Sequence, residues 1–125
     1  MKKVRIITNN PRVRELPGAE FYPETLLEIL TRVRDLVHQG YPLISHPLAG
    51  SVKPNETPYK SVIIEPIASK DLDETSLRII EGSLATAEKL LKDRPLKPRS
   101  EQVMDDFAVI DRALIESGLQ SLSHL

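Results

Sequence analysis

The stretch that decides the fold is ETLLEILTRVRDLVHQ, residues 24–39. Its apolar residues recur at intervals of three and four, which is the period of one helix face. Pro23 lies near the start and Gly40 is placed for a C-cap, as is typical of helix ends. The pattern predicts a first helix from Glu24 to Gln39, whose apolar face comprises Leu26, Leu27, Ile29, Leu30, Val33, Leu36 and Val37.

Short runs on both sides of this helix predict strands. Lys3 to Thr8 and Ala19 to Tyr22 precede it, and Leu43 to Ser45 and Ser61 to Glu65 follow it. A helix between two strands supplies the crossover that parallel pairing requires. We therefore expect the first strand and the Leu43 strand to be parallel neighbours or to lie one strand apart.

The second half of the chain predicts two more helices. Asp71 or Asp73 can cap the first of them, which ends before Pro95, and Ser100 can cap the other, which Gly118 closes. The expected apolar stripes are Leu77, Ile80, Leu84, Ala87 and Leu91 in one helix and Val103, Phe107, Ile110 and Leu114 in the other.

The proline-containing segment 93–99 is expected to be a stiff connector, and residues 119–125 a frayed tail. The elements predict one α/β domain over residues 1–125, a small three-layer or two-layer sandwich with a mainly parallel sheet of about four strands and three helices. The length of 125 residues suits a single core.

Composition excludes several classes of function. Seventeen basic and eighteen acidic residues give a net charge of -1 without long runs of one sign, so neither a nucleic-acid surface nor a membrane surface is predicted. Cysteine is absent and no paired metal-ligand spacing exists, so we expect no metal and no cofactor. The apolar stretch after Met1-Lys2-Lys3 is too short for a signal peptide, which predicts a cytoplasmic protein.

The long polar loop from His46 to Lys60 is the strongest sign of a site. Connections of this length without secondary structure are usually binding loops, lids or disorder, and three prolines argue against disorder. The alternative is an Ω-loop that packs only on itself. The loop residues expected to contact a ligand are His46, Gly50, Ser51, Lys53, Asn55, Glu56, Tyr59 and Lys60.

The turn after the first strand, from Thr8 to Arg12, is the second candidate region. Thr8, Asn9 and Asn10 offer a hydroxyl and two amides at a strand end, which suits an anion or a sugar edge. The alternative is that the two amides only cap the turn. His46 could be a titrating group near Glu56 or Tyr59, although a structural hydrogen bond is the favoured interpretation.

The Thr8-Asn9-Asn10-Pro11 turn, the helix after it, His46-Pro47-Leu48 and the run from Gly50 to Ser61 resemble the GrdX family. These small proteins are encoded with the glycine, sarcosine and betaine reductase components of amino-acid-fermenting anaerobic bacteria. The resemblance covers the first two thirds of the chain and implies an accessory role in that metabolism. It supplies no catalytic residues, because the family has no established reaction.

Residues Thr8 to Leu16 are also similar to the opening of the house-cleaning nucleoside triphosphate pyrophosphatases. In that family the Thr-Asn-Asn turn meets the triphosphate, but here the motif is one residue shorter and lacks its lysine, with Arg12 the nearest substitute. The chain is also short for that fold. This resemblance implies a phosphate-binding turn without the enzyme.

The leading hypothesis is a cytoplasmic accessory protein that binds a small polar or anionic ligand, or a reductase component, through the two polar regions. One alternative is an enzyme acting on a phosphorylated or nucleotide substrate, for which Glu56, His46 and Glu65 are the available bases. The other is a purely structural subunit that forms a homodimer. The third helix, whose apolar face needs a partner surface, favours a homodimer slightly.

Overall fold

The computed structural model describes residues 3–49 and 52–122. Their three strands form one sheet in the order β2-β1-β3. The elements, in chain order, are β1 (Arg5–Thr8), β2 (Ala19–Phe21), α1 (Leu26–His38), β3 (Ser61–Ile64), α2 (Glu74–Asp93) and α3 (Glu101–Leu122).

The sheet is mixed, so the α/β class is confirmed while the expected sheet of about four mainly parallel strands is wrong. β1 pairs in parallel with β2 and antiparallel with β3, with Thr8 opposite Ser61. Leu43 forms only an isolated antiparallel bridge with Ile64. The ladder ends there because the hydroxyl of Ser45, rather than a main-chain carbonyl, accepts the N–H of Ile63 at 2.8 Å.

The direction of the Leu43 segment nevertheless agrees with the expectation. This segment and β1 both run antiparallel to β3, so they run in the same direction and lie one strand apart. The chain that follows each of them therefore leaves the sheet at the same edge. The turn after β1 and the start of the long loop meet there.

Helices α1 and α2 cover one face of the sheet. α1 begins with a capping box, in which the Thr25 hydroxyl accepts from the N–H of Glu28 and the Glu28 carboxylate accepts from the N–H of Thr25. After α1, Gly40 has φ +107°, and a Cβ there would lie 2.8 Å from the carbonyl oxygen of Ser69. The core on this face is apolar and consists of Ile7, Leu26, Ile29, Leu30, Val33, Val37, Val62, Ile64, Ile80, Leu84 and Ala87.

Helix α3 covers the other face, and its orientation differs from the expectation. The buried residues of α3 are Ala108, Asp111 and Ile115, whereas Ile110 and Leu114 are 43% and 39% exposed. The apolar core on this side contains Ile6, Val13, Ile63 and Ile115. Helix α3 is therefore rotated by about one residue relative to the predicted stripe.

The predicted end of α3 at Gly118 is also wrong. The helix continues to Leu122, so residues 119–122 are helical, while residues 123–125 lie outside the described residues. Gly118 lies inside the helix, where a Cβ would be 3.4 Å from the Cδ1 atom of Ile63. The last turns are held to the sheet because Leu119 and Leu122 pack against the core on this side. Residues 94–100 join α2 to α3 without helix or strand.

Candidate functional site

A hydrogen-bonded polar network lies between the sheet and α3. The antiparallel pairing of β1 and β3 places Thr8 opposite Ser61, and their hydroxyl oxygens are 2.7 Å apart. The Ser61 hydroxyl donates to Oδ2 of Asp111 at 2.6 Å. All three residues are less than a tenth exposed.

Asn10 completes this network, which we call the Asp111 network (Thr8, Asn10, Ser61 and Asp111). Its Nδ2 donates to Oδ2 of Asp111 at 2.9 Å and to the carbonyl of Ala108 at 2.8 Å. Its Oδ1 accepts from the main-chain N–H of Arg12 at 2.9 Å. One carboxylate oxygen of Asp111 therefore receives two donors.

The side chain of Asn9 points the other way and ties the turn to the long loop. Its Nδ2 donates to the carbonyls of Glu24 and Pro58 at 2.8 and 2.9 Å. Its Oδ1 accepts from the main-chain N–H of Lys60 at 2.8 Å. The amide group thus makes three hydrogen bonds within the protein.

The remaining polar groups of the turn also have partners. Arg12 makes two hydrogen bonds to Asp105 of α3, at 2.7 and 2.9 Å, and the guanidinium of Arg14 lies 4.9 Å from the centre of the Phe21 ring. The guanidinium of Arg12 therefore already has a partner in α3. Assignment of Thr8, Asn9 and Asn10 to a ligand site stays a prediction, and their observed bonds are structural.

Lys60 differs from the turn residues because its side chain is buried while its ammonium group has no partner among the described residues. It is 7% exposed, and the described residues provide no hydrogen bond to its ammonium group and no ion pair within 4 Å. Burial lowers the pKa of Lys60, and the negative charge of Asp111 acts in the opposite direction. A buried cation without a partner is costly, so a ligand that pairs with it gains affinity.

A cavity of about 260 Å³ adjoins this lysine. We call it the Lys60 cavity. It lies at the sheet edge where the turn after β1 and the long loop meet, between β3 and α3. The side chains that line it include Ser45, His46, Lys60, Ser61, Asp111 and Leu114.

The other candidate loop residues are placed around the cavity or away from it. His46 lines the cavity, and its Nδ1 accepts from the N–H of Leu48 at 3.0 Å. Lys53 is exposed and is joined to Glu56 through its main-chain N–H, which donates to the carboxylate at 3.2 Å. Tyr59 is half-buried and lines a small crevice together with Lys60 and Phe107.

Asn55 holds the loop against α2, since its Nδ2 donates to the carbonyl of Leu90 at 3.3 Å, while its buried Oδ1 has no partner among the described residues. Gly50 and Ser51 lie outside the described residues. The loop is therefore bonded to α2 through Asn55 and to the turn after β1 through Asn9. It does not pack only on itself.

A larger groove of about 600 Å³ lies at the start of α1, away from the Lys60 cavity. Prolines and leucines form most of its walls. Its two acidic residues already have partners, since Glu24 binds Arg32 and Glu28 closes the capping box. The groove therefore lacks the free charged groups that the Lys60 cavity has.

Asp111 is the site residue that the sequence prediction missed. The residue lies 51 positions after Lys60, in a helix for which the sequence pattern predicted a different buried face. The available signal was the spacing of Ala108, Asp111 and Ile115, which places an acid on an otherwise apolar stripe. An acid at such a position is rarely buried unless it is paired.

Two searches of the described part of the chain gave negative results. Residues 3–49 and 52–122 hold no group of three or more His, Asp or Glu side chains arranged to hold a metal ion. None of the three helices in these ranges combines the length and the apolar character needed to cross a bilayer.

The chain was compared with known proteins in three ways. Residues 5–120 match the family model GrdX, which is described as GrdX-like protein. Neither the curated proteins nor the solved structures gave a match. The family match covers nearly the whole chain, including α3 and Asp111, beyond the two thirds that carried the resemblance in the sequence.

Proposed function

Because the chain belongs to the GrdX-like family, we propose that it is a cytoplasmic accessory protein of glycine, betaine and sarcosine reductase metabolism. In this proposal the protein binds a small polar or anionic ligand in the Lys60 cavity. The observation that carries the proposal is Lys60, whose side chain is buried beside a cavity and whose ammonium group has no partner among the described residues. A reductase component that inserts an acidic group is the macromolecular form of the same proposal.

The sequence pattern assigned ligand binding to both polar regions together, whereas this proposal assigns it to the Lys60 cavity. The turn after β1 holds the residues of this cavity in place. Asn9 accepts a hydrogen bond from the main-chain N–H of Lys60, and Asn10 donates one to the carboxylate of Asp111. Thr8 and Ser61 complete this support. Residues with satisfied hydrogen bonds thus hold the two charged residues in place, which reduces the entropy that binding must overcome.

A thermal-shift screen tests this function. Phosphate, acyl phosphates, nucleotides, glycine and its methylated analogues are compared at fixed ionic strength on the wild type and on Lys60→Met. A ligand at one hundred times its dissociation constant should stabilise the wild type by about 2.7 kcal/mol. The Lys60→Met variant should lose this shift, because the apolar side chain keeps the stem and removes the charge.

Lys53→Met is the matched control, since Lys53 is an exposed lysine of the same loop. It should keep the full shift. A shift of equal size in Lys60→Met would place the ligand elsewhere. No shift with any compound would favour a protein partner, which can then be sought among purified reductase components.

A second candidate function is a homo-oligomeric structural subunit. The observation that favours it is the exposure of Val109, Ile110 and Leu114 on α3, at 47%, 43% and 39%. Such a patch is typical of an interaction surface when its residues are contiguous. Size-exclusion chromatography with light scattering tests it directly, and a monomeric mass at high concentration would exclude it.

A further inference from the structure

The Lys60 cavity is lined by a second charged group that has an oxygen without a partner among the described residues. Oδ2 of Asp111 accepts from Ser61 and from Asn10, whereas no hydrogen bond from the described residues reaches Oδ1. The carboxylate is only 8% exposed and lines the same cavity as Lys60. The cavity therefore presents one cation and one anion, each with hydrogen-bonding capacity left over.

These opposite charges do not satisfy each other. Among the described residues no ion pair within 4 Å joins Lys60 to Asp111, although the pKa of Lys60 reflects the charge of Asp111. Asp111 is held in place by its two donors and by its position on α3. A buried ion gains most from a partner with good hydrogen-bond geometry. A molecule between the two residues could satisfy both.

We propose that the Lys60 cavity binds a compact zwitterion. Its carboxylate accepts from Nζ of Lys60, and its protonated primary or secondary amine donates to Oδ1 of Asp111. The inference rests on the proposed function and deepens it, because it names the ligand class of the same cavity. The volume of about 260 Å³ lies below the range of drug-sized pockets, which favours a ligand of few atoms.

The Asp111 network explains why the Lys60 cavity would prefer a zwitterion to a simple anion or cation. Ser61 and Asn10 use one carboxylate oxygen and leave the other for the ligand. A simple anion would meet Lys60 but would also lie close to the negative charge of Asp111. A simple cation would meet Asp111 but would lie close to Lys60. A molecule with both charges avoids these repulsions and, unlike an uncharged molecule, forms a charge-assisted hydrogen bond with each residue.

Isothermal titration calorimetry with four probes tests the inference on the full-length protein. The probes are glycine, acetate, methylammonium and glycine betaine, whose quaternary nitrogen has no N–H. Glycine should bind at least about tenfold more tightly than acetate or methylammonium, as a charged hydrogen bond at each end requires. Glycine betaine should bind more weakly than glycine, because it cannot donate to Oδ1.

The variant Asp111→Asn isolates the second contact. Its amide oxygen can accept from Ser61 and Asn10 as Oδ2 does, and its NH₂ group replaces the free oxygen with a donor. Glycine affinity should fall to about the level of acetate, while acetate affinity should be retained or increased. If this variant does not fold, as circular dichroism would show, the ranking of the four probes on the wild type decides the question.

The outcomes separate this inference from the proposed function. Equal affinity for acetate and glycine, lost in Lys60→Met, would overturn the zwitterion and leave an anion site at Lys60. Equal affinity for glycine and glycine betaine would overturn the hydrogen bond to Asp111 in the same way. No binding of any probe by the wild type would overturn the inference, and the wider screen with phosphate and nucleotides would then decide the proposed function separately.

Discussion

The two faces of the sheet are held to their helices in different ways. Toward α1 and α2 the strands present Ile7, Val62 and Ile64, and the core there is mainly apolar, although α2 also buries Ser76 and Ser83. Toward α3 the strands present Ile6 and Ile63 at one end but Thr8 and Ser61 at the other. One interface is closed mainly by apolar packing, and the other combines packing with a buried network of polar side chains.

The difference shows where this small domain can hold a ligand. Apolar packing is not directional, so the core under α1 and α2 stabilises the fold without presenting a charged group to a ligand. A buried polar network must satisfy each of its members. Beneath α3 the exceptions are Oδ1 of Asp111 and the ammonium group of the neighbouring Lys60, which form no hydrogen bond with the described residues. These exceptions lie on the Lys60 cavity.

The largest expected effect comes from the apolar face. Leu30→Ala should lower the free energy of unfolding by about 2 to 5 kcal/mol, because the Leu30 side chain of α1 is fully buried in the apolar core. Urea unfolding followed by circular dichroism measures this. Val109→Ala on α3 is the control and should change stability by about 0.5 kcal/mol or less, since Val109 is 47% exposed. Equal losses would contradict the burial of Leu30 in the apolar core.

The polar network should give the next largest effect. Asn10→Ala removes the donor to Ala108 and Asp111 and the acceptor for Arg12, and should cost about 1 to 3 kcal/mol. Asn55→Ala is the matched control, because its amide makes one long hydrogen bond and leaves its oxygen unpaired. That variant should cost less than about 1 kcal/mol. If Asn10→Ala is as stable as Asn55→Ala, the network does not stabilise the α3 interface.

The elements defined by local signals were predictable from the sequence, whereas the packing of α3 was not. Helix α1 carries its own start and stop signals, and the structure places it within two residues of the predicted ends. In α3, the stripe through Phe107 and Ile110 and the stripe through Ala108 and Asp111 both have helical spacing. Only contact with the sheet selects the second stripe, and no local rule contains that information.

The presence or absence of a local signal also decided which site residues could be predicted from the sequence. Lys60 belongs to the unusual loop and was therefore a candidate from composition and spacing alone. Asp111 could be identified only from the structure, in which its carboxylate accepts a hydrogen bond from Ser61 of β3, 50 positions earlier in the chain. The strand that the sequence assigned to Leu43 failed for a related reason, since the Ser45 side chain replaces a main-chain partner. Side-chain competition for main-chain groups is hard to foresee from propensity.

A smaller loss is expected for Phe107, which the sequence placed on the buried stripe. The ring is only half-buried beside the Lys60 cavity. Phe107→Ala should therefore cost about 1 to 2 kcal/mol rather than the 3 to 5 kcal/mol typical of a fully buried ring. Thermal melting together with light scattering measures both stability and mass. A loss above this range with a fall in mass would mean that α3 is buried against a second copy.

The smallest effect concerns the ion pair at the edge of the α1 and α2 side. Arg5 makes two hydrogen bonds to Glu20, at 2.6 and 2.8 Å, and this contact lowers the pKa of the Glu20 carboxyl below its ordinary value of 4.5. A carboxyl with a lowered pKa adds stability above its ordinary pKa, and that stability is lost as the pH falls through the lowered value. Glu20→Gln should therefore cost about 1 kcal/mol or less near pH 7 and nothing near pH 2.

A second pair of an arginine and a carboxylate lies on the α3 side of the sheet. Glu15 also pairs with an arginine, Arg112 of α3, and its pKa is lowered by that contact, but its side chain is 72% exposed. Salt screens an exposed pair more strongly than a partly buried one. Thermal melts of Glu15→Gln and Glu20→Gln at low and high salt, each near pH 7, should show that only the Glu20 effect persists in salt. Equal salt sensitivity would mean that Arg5 and Glu20 form an ordinary surface pair, with no support from the packed face beside them.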